Sequence, residues 1–480
     1  MTEEELAALG DPMATVFFHR ASYPPTVGDL LRDLPQSPTG PAQAVYLIGE
    51  AGQIPPKASP ALFRDFRFAI ARSVQGSEVD LLISTGAGVD PQATFLQVAA
   101  WDPVAKVFNY YMRIAPTWVW AGNSWSALED DSRGRGCFDS HINGSVVMKE
   151  LRLPWSNWQS QSATIRLDED DPVRADPLFK EVIGAERLEL TVRALVSRWT
   201  EARLAEVTRT GTVARPDHLL RQLFTTTAIN LATTGVQSAT VTATGGDLPL
   251  PPGFWLNTDA LLDDLELPVT AALPRAPAAW YVASLADFDF RLEERASGFS
   301  QAGDTFFAFT TPEAANEDDD VIRQMVQRGL VPAKFAACAL MVDFTNPVFS
   351  PDRARLMAYV PATPTAVGDL AATTAQAIVA AAAQLPATSP EARFAADWAL
   401  ADGDWPQVFA GRIDAYLAAA AVRIRTQAGF NDYVRLAESR RRDFKEMKLN
   451  EFELTLPVTN IPADAPRLAM REDATVADRS

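Results

Sequence analysis

Between Phe66 and Ile114 the sequence repeats with a period of two, and this repeat narrows the accessible folds more than any other feature. Phe66, Phe68 and Ile70 alternate with small or polar neighbours, and so do Val79, Leu81 and Ile83. Successive side chains of a strand point to opposite faces, so the alternation predicts strands and argues against helices. Thr94–Trp101 and Val107–Ile114 flank Asp102-Pro103-Val104-Ala105, which reads as a hairpin loop. An antiparallel meander is the simplest arrangement.

The flanking sequence behaves differently. Residues 1–60 carry Pro24, Pro25, Pro35, Pro38, Pro41, Pro55 and Pro56, which break long elements and predict an irregular arm with one short helix at Val27–Leu34. After the acidic break Asp168–Pro172, Leu188, Val192, Leu195 and Trp199 fall on one face of a helix spanning Ala185–Val207. A second helix starts near Pro216, with Asp217 in its first turn. Thr305–Thr310 reads as a short strand, and Val321–Arg328 as a helix closed by Gly329. The apolar run Phe335–Phe344 fits a buried strand or a helix equally well. Beyond a linker at 361–370, Ala371–Leu385, Pro390–Leu400, Val408–Arg425 and Asn431–Lys445 read as helices, Phe452–Leu456 as a strand, and the last residues as a loose tail. The expected class is α+β: an antiparallel β-rich N-terminal region, a mixed middle and a helical C-terminal region. The expected division is 1–60, 61–165, 166–360 and 361–480.

Charge removes some functions. Among 480 residues, 43 basic against 61 acidic side chains leave a formal charge of −18. Binding to a phosphate backbone needs a basic footprint, so no nucleic-acid partner is expected, and docking on an anionic membrane is disfavoured. No apolar run approaches the ~18 residues of a membrane-spanning helix. The acidic start MTEEELAALG lacks the basic region of a signal peptide, so a cytoplasmic location is expected. In that setting Cys137 and Cys338 are expected to be free thiols, Cys338 in the core.

Residues 115–165 concentrate the distinctive chemistry. They hold Trp118, Trp120, Trp125, Trp155 and Trp158, five of the chain's 11 tryptophans, with Cys137 and His141. The centre reads Gly136-Cys137-Phe138-Asp139-Ser140-His141-Ile142-Asn143-Gly144, followed by Met148, Lys149 and Glu150. Cys137-Phe-Asp-Ser140-His141 resembles the C-x-x-C-H haem-attachment motif of c-type cytochromes, with Ser140 in place of the second cysteine. The resemblance covers five residues. It implies haem iron on His141, with Met148 as a second ligand and at most Cys137 as an attachment point. Because Ser140 forms no thioether and no export segment is present, a non-covalent haem or another metal on His141 is the form this takes.

Two other readings use the same residues. In one, Trp120, Trp155 and Trp158 wall a pocket for a small organic molecule, and Asn123 and Asn143 orient it. There His141 acts as general acid or base, with Lys149 and Arg113 as charged partners. In the other, His141 and Asn143 satisfy buried backbone groups of a glycine-bounded turn, the tryptophans are core, and the protein is a structural or partner-binding scaffold.

The remaining candidates are plainer. Gly122-Asn123-Ser124-Trp125-Ser126 lacks the second glycine of a nucleophile elbow. Gly86-Ala87-Gly88 lacks the third glycine and the following helix of a dinucleotide site. The runs Glu129–Asp131, Asp168–Asp171 and Glu317–Asp320 read as solvated loops or helix N-terminal charges. Asp343 is expected to be buried and paired with Arg353 or Arg355. Arg440, Arg441 and Arg442, with Lys445 and Lys448, read as a basic stripe paired with acidic neighbours.

Overall fold

The computed structural model describes residues 1–35, 42–58, 64–88, 95–295, 297–304, 307–447 and 456–479. The chain divides into two compact units, Met1–Ala202 with Glu294–Phe299, and Arg203–Glu293 with Ser300–Ser480. The class is α+β.

The first unit is built on a six-stranded antiparallel meander in sequence order: β1 (Gln43–Gly49), β2 (Phe66–Arg72), β3 (Leu81–Gly86), β4 (Leu96–Asp102), β5 (Val107–Ile114) and β6 (Thr117–Asn123). The period-two stretch supplies β2 to β5. Strand β1 lies in what the prolines had marked as an irregular arm, and β6 extends the meander by one hairpin. The other described residues of the arm are mostly short turns of helix, among them α1 (Val27–Asp33), capped by the Thr26 hydroxyl.

Both sheet faces are covered. Val45, Leu47, Phe68, Ile70, Ile83, Val98 and Tyr111 face one core, against Met13, Val16, Phe17 and Leu30 of the arm. Tyr46, Ala71, Trp101, Phe108 and Tyr110 face the other. Helix α2 (Glu186–Val207) closes that second core with Leu188, Val192, Leu195 and Trp199. Each such buried side chain contributes roughly 1.5–3 kcal/mol of apolar transfer. A helix of this unit therefore begins at 186, well past the expected boundary at 165, because its apolar stripe has the sheet as its partner.

The second unit gathers the expected mixed and helical regions around one large core. Its main elements are α3 (Pro216–Phe224), β7 (Ile229–Ala232), α4 (Ala278–Asp287), β8 (Thr311–Ala314), α5 (Asn316–Gln327), α6 (Ala333–Met341), α7 (Leu370–Ala382), α8 (Pro390–Trp398), α9 (Trp405–Arg423) and α10 (Gln427–Glu446). Strands β7 and β8 pair antiparallel. The ambiguous run 335–344 is helical for most of its length, and Cys338 is buried in it. Of the strand expected at Thr305–Thr310, residues 307–310 are not in a strand, and Thr311–Ala314 after them are. Residues 305–306, the run Phe452–Leu456 except its last residue, and Lys448 lie outside the described residues. The expected loose tail forms a hairpin, β9 (Leu468–Met470) with β10 (Val476–Asp478). It is held because Asn346 exchanges two hydrogen bonds of 2.9 Å with the Met470 main chain, and Arg479 bonds Asp443 at 2.9 Å.

Candidate functional site

The glycine-bounded loop of the first unit has almost no regular backbone pairing, so its carbonyls need other donors. Side chains supply them. Arg133 donates to the Ile142 carbonyl at 3.2 Å, and the Trp199 indole to that of Asn143 at 2.8 Å. The His141 ring meets the Ser145 carbonyl through Nδ1 at 2.8 Å, and the Trp158 indole donates to that of Lys149 at 3.2 Å. Since a carbonyl only accepts, Nδ1 carries the proton in this contact, which in a neutral imidazole puts the lone pair on Nε2. The ring is half-buried and rests on Tyr110, centroids 4.9 Å apart. Gly144 is required where it stands: its φ is +74°, and a Cβ there would lie 2.3 Å from the Ser124 carbonyl oxygen.

The other sequence-derived residues fall around this loop or away from it. Cys137 is half-buried in a short 3-10 turn, and burial, with Asp139 nearby, pushes its thiol up, away from the thiolate that binds metals or attacks carbon. Met148 and Trp155 are buried in the second core of the sheet, which also holds Trp158. Lys149 is half-buried. Asn143 is buried, and its carbonyl takes the Trp199 proton. The Asn123 side chain accepts from the backbone of Trp125 and Ser126 at 3.0 and 3.1 Å, a local turn.

Trp120 and Arg113 are not brought to this loop. Trp120 packs with Trp118 on the first core, its indole donating to Asn109 at 3.0 Å. Arg113 shares the parity of Tyr111 along β5, so it projects to that same side, whereas His141 rests on Tyr110 on the other. The sheet separates Trp120 from Trp155 and Trp158, so these three do not form the walls of one pocket. Among the described residues no group of three or more His, Cys, Asp or Glu side chains is placed to hold a metal ion.

Sequence reasoning missed two features. One is the outer edge of β6. The opposite edge, β1, is bonded by backbone: Gly49 donates to Asn157 at 2.8 Å, while Leu47 and Val45 accept from Gln159 and Ile183, each at 2.9 Å. Among the described residues no strand pairs with the outer edge of β6, and Val119 on it is 38 % exposed. The signal was present, since Thr117-Trp118-Val119-Trp120 continues the strand chemistry.

The other feature is in the second unit. Tyr281, Ser284 and Leu285 of α4 face Val434, Ala437 and Arg441 of α10 across a hollow with room for about one water molecule. Asp304 borders the hollow too. Its Oδ2 accepts from Tyr281 at 3.3 Å and from the Phe309 amide at 2.7 Å. Arg441 donates Nη1 to the Thr310 carbonyl at 2.7 Å. Asp304 Oδ1 and Arg441 Nε and Nη2 have no protein partner among the described residues. Burial raises the Asp304 carboxyl, and Arg441 opposes that.

Glu129–Asp131 and Asp168–Asp170 are exposed, as expected, whereas the other two charge runs are buried. Arg440 donates to the Phe254 and Thr345 carbonyls at 2.7 and 3.0 Å, and burial lowers its guanidinium to about 10. Among the described residues only Arg442 of the three makes an ion pair, with Glu438 at 2.7 Å. The expected acidic pairing of this stripe is thus mostly replaced by backbone carbonyls, which a planar multi-donor group can bridge. Glu317–Asp319 sit in the first turn of α5 and Asp320 follows, but all are buried: Asp318 accepts from the Thr227 amide at 2.7 Å and Asp319 from Asn257 at 2.7 Å. Asp343 takes Asn346 and Ser350 as partners, at 2.8 and 2.7 Å, in place of an arginine.

No protein-family model, curated protein or solved structure matches the chain. No helix among the described residues is long and apolar enough to cross a membrane.

Proposed function

We propose that this protein is a partner-binding scaffold, in which the His141 loop is architectural and the exposed edge of β6 is the docking element. The observation that carries this is how side chains in and around the loop are used: His141, Trp158 and, from α2, Trp199 are each spent on a backbone carbonyl of residues 143–149. The separation of Trp120 and Arg113 from His141 by the sheet adds support. An apolar strand edge without a guarding charge is a ready template for strand addition.

The competing reading is a haem- or metal-dependent oxidoreductase with His141, Cys137 and Met148 as ligands. The Nδ1-protonated ring favours it to one extent: a metal would find its lone pair on Nε2. Visible absorption and elemental analysis of the purified chain and of His141→Ala separate the two. The scaffold reading expects identical spectra and identical trace metal. A Soret band or stoichiometric metal, lost on substitution, would overturn it.

A further inference from the structure

We infer that the partner at β6 is a second copy of this chain, the two β6 strands pairing antiparallel about a twofold axis. This rests on the partner-binding reading above and commits it to one occupant.

Charge is the first reason. The chain carries −18 overall, so two copies repel at long range, and close contact is least opposed where the meeting surfaces are neutral. From Ile114 to Leu128 there is no charged residue, and β6 lies inside that stretch. A partner recruited by charge would be met by basic or acidic side chains along the strand, and β6 has none. A neutral, β-forming strand is complementary to itself.

Side-chain register is the second reason. In an antiparallel pair, residues directly opposite one another project to the same face. An axis at Val119 sets Val119 against its own counterpart, Thr117 against Ala121, and Trp118 against Trp120. Trp118 and Trp120 already share the face of the first core. Pairing therefore sets two aromatic cross-strand pairs side by side on that face, with no like charges opposed. The contact is isologous and closes at two copies, so it ends the open edge without building a filament.

Contrast with β1 is the third. That edge is capped by the chain's own residues 157–159 and 183, whereas among the described residues no strand pairs with the outer edge of β6.

Sedimentation of the full-length protein from about 1 to 100 µM tests this. The wild type is expected to show a monomer–dimer equilibrium in that range. Val119→Lys, at an exposed position, opposes two ammonium groups at the axis and is expected to weaken the dimer at least tenfold. Val119→Thr, neutral and β-branched, is expected to retain it. Far-ultraviolet circular dichroism of each variant confirms that the fold is kept. A wild type monomeric throughout the range, or a dimer unaffected by Val119→Lys, overturns the proposal. Either result leaves the scaffold reading standing, since that one falls only to a Soret band or bound metal lost with His141.

Discussion

His141 and Ser145 are joined through the imidazole Nδ1 and the main-chain carbonyl, 2.8 Å apart, across a turn that Gly144 closes. The bond fixes the tautomer of the ring and occupies the carbonyl of a residue that is itself buried. It gives the imidazole a structural task at the place where the sequence suggested a chemical one.

Removing that donor has a defined cost. His141→Ala is expected to destabilise the first unit by about 1–3 kcal/mol, the range for a buried polar group losing its partner. His141→Asn or Gln, retaining an N–H donor, should cost less where the amide reaches. Urea unfolding followed by tryptophan fluorescence reads the difference. Equal stability of the wild type and the alanine variant would show that the bond contributes nothing.

Gly144→Ala tests the same loop from the backbone side. The substituted residue would hold φ near +74° and press its Cβ to 2.3 Å from the Ser124 oxygen. A loss of roughly 2–4 kcal/mol is expected, larger than that of any exposed glycine in the chain. Gly134→Ala serves as the comparison, because its φ is +71° but nothing lies within 4 Å of the added carbon.

In the second unit, Arg441→Leu strips the buried Asp304 of a cation that opposes its desolvation. The expected loss is about 3–5 kcal/mol, and the double variant with Asp304→Asn should recover much of it. Strict additivity of the two single effects in a denaturation cycle would refute the coupling.

Asp11 predicts a pH dependence. It is fully buried, caps a helical turn through the Met13 and Ala14 amides, and accepts from Asn109 and Tyr111 at 2.9 and 2.8 Å. Desolvation raises its carboxyl from 3.8 to about 6. Between those values the folded chain holds a proton that the unfolded chain has released, so this group's contribution to stability falls as pH rises from about 4 to 6. Asp11→Asn, which keeps an acceptor at the cap, is expected to flatten that slope by an amount of order 1–3 kcal/mol. Superimposable stability–pH curves for the two proteins would contradict the assignment.

Much of the first unit was legible because period-two patterning survives in β2 to β5, where one face is larger and more apolar than the other. Strand β1 was not, since its residues are apolar toward both cores and a proline-rich stretch precedes it. The tryptophans misled for a related reason. Linear proximity placed Trp120, Trp155 and Trp158 together, whereas strand parity decides which side of the sheet each occupies. Arg440 and Arg441 read as partners of acidic neighbours because a basic stripe in an acidic chain normally is. Their partners are carbonyls of Phe254, Thr310 and Thr345, which only the tertiary fold brings to α10. Asp304 and Arg441 carried no local signal, being on segments far apart in the chain.

The nitrogen-15 spectrum of the His141 imidazole, in protein made by cells supplied with iron and haem precursor, tests the architectural role most directly. The expected result is a diamagnetic ring protonated at Nδ1, with Nε2 in the range of an uncoordinated nitrogen. A coordination-shifted or paramagnetically broadened Nε2 that returns to the free value on chelation would contradict it.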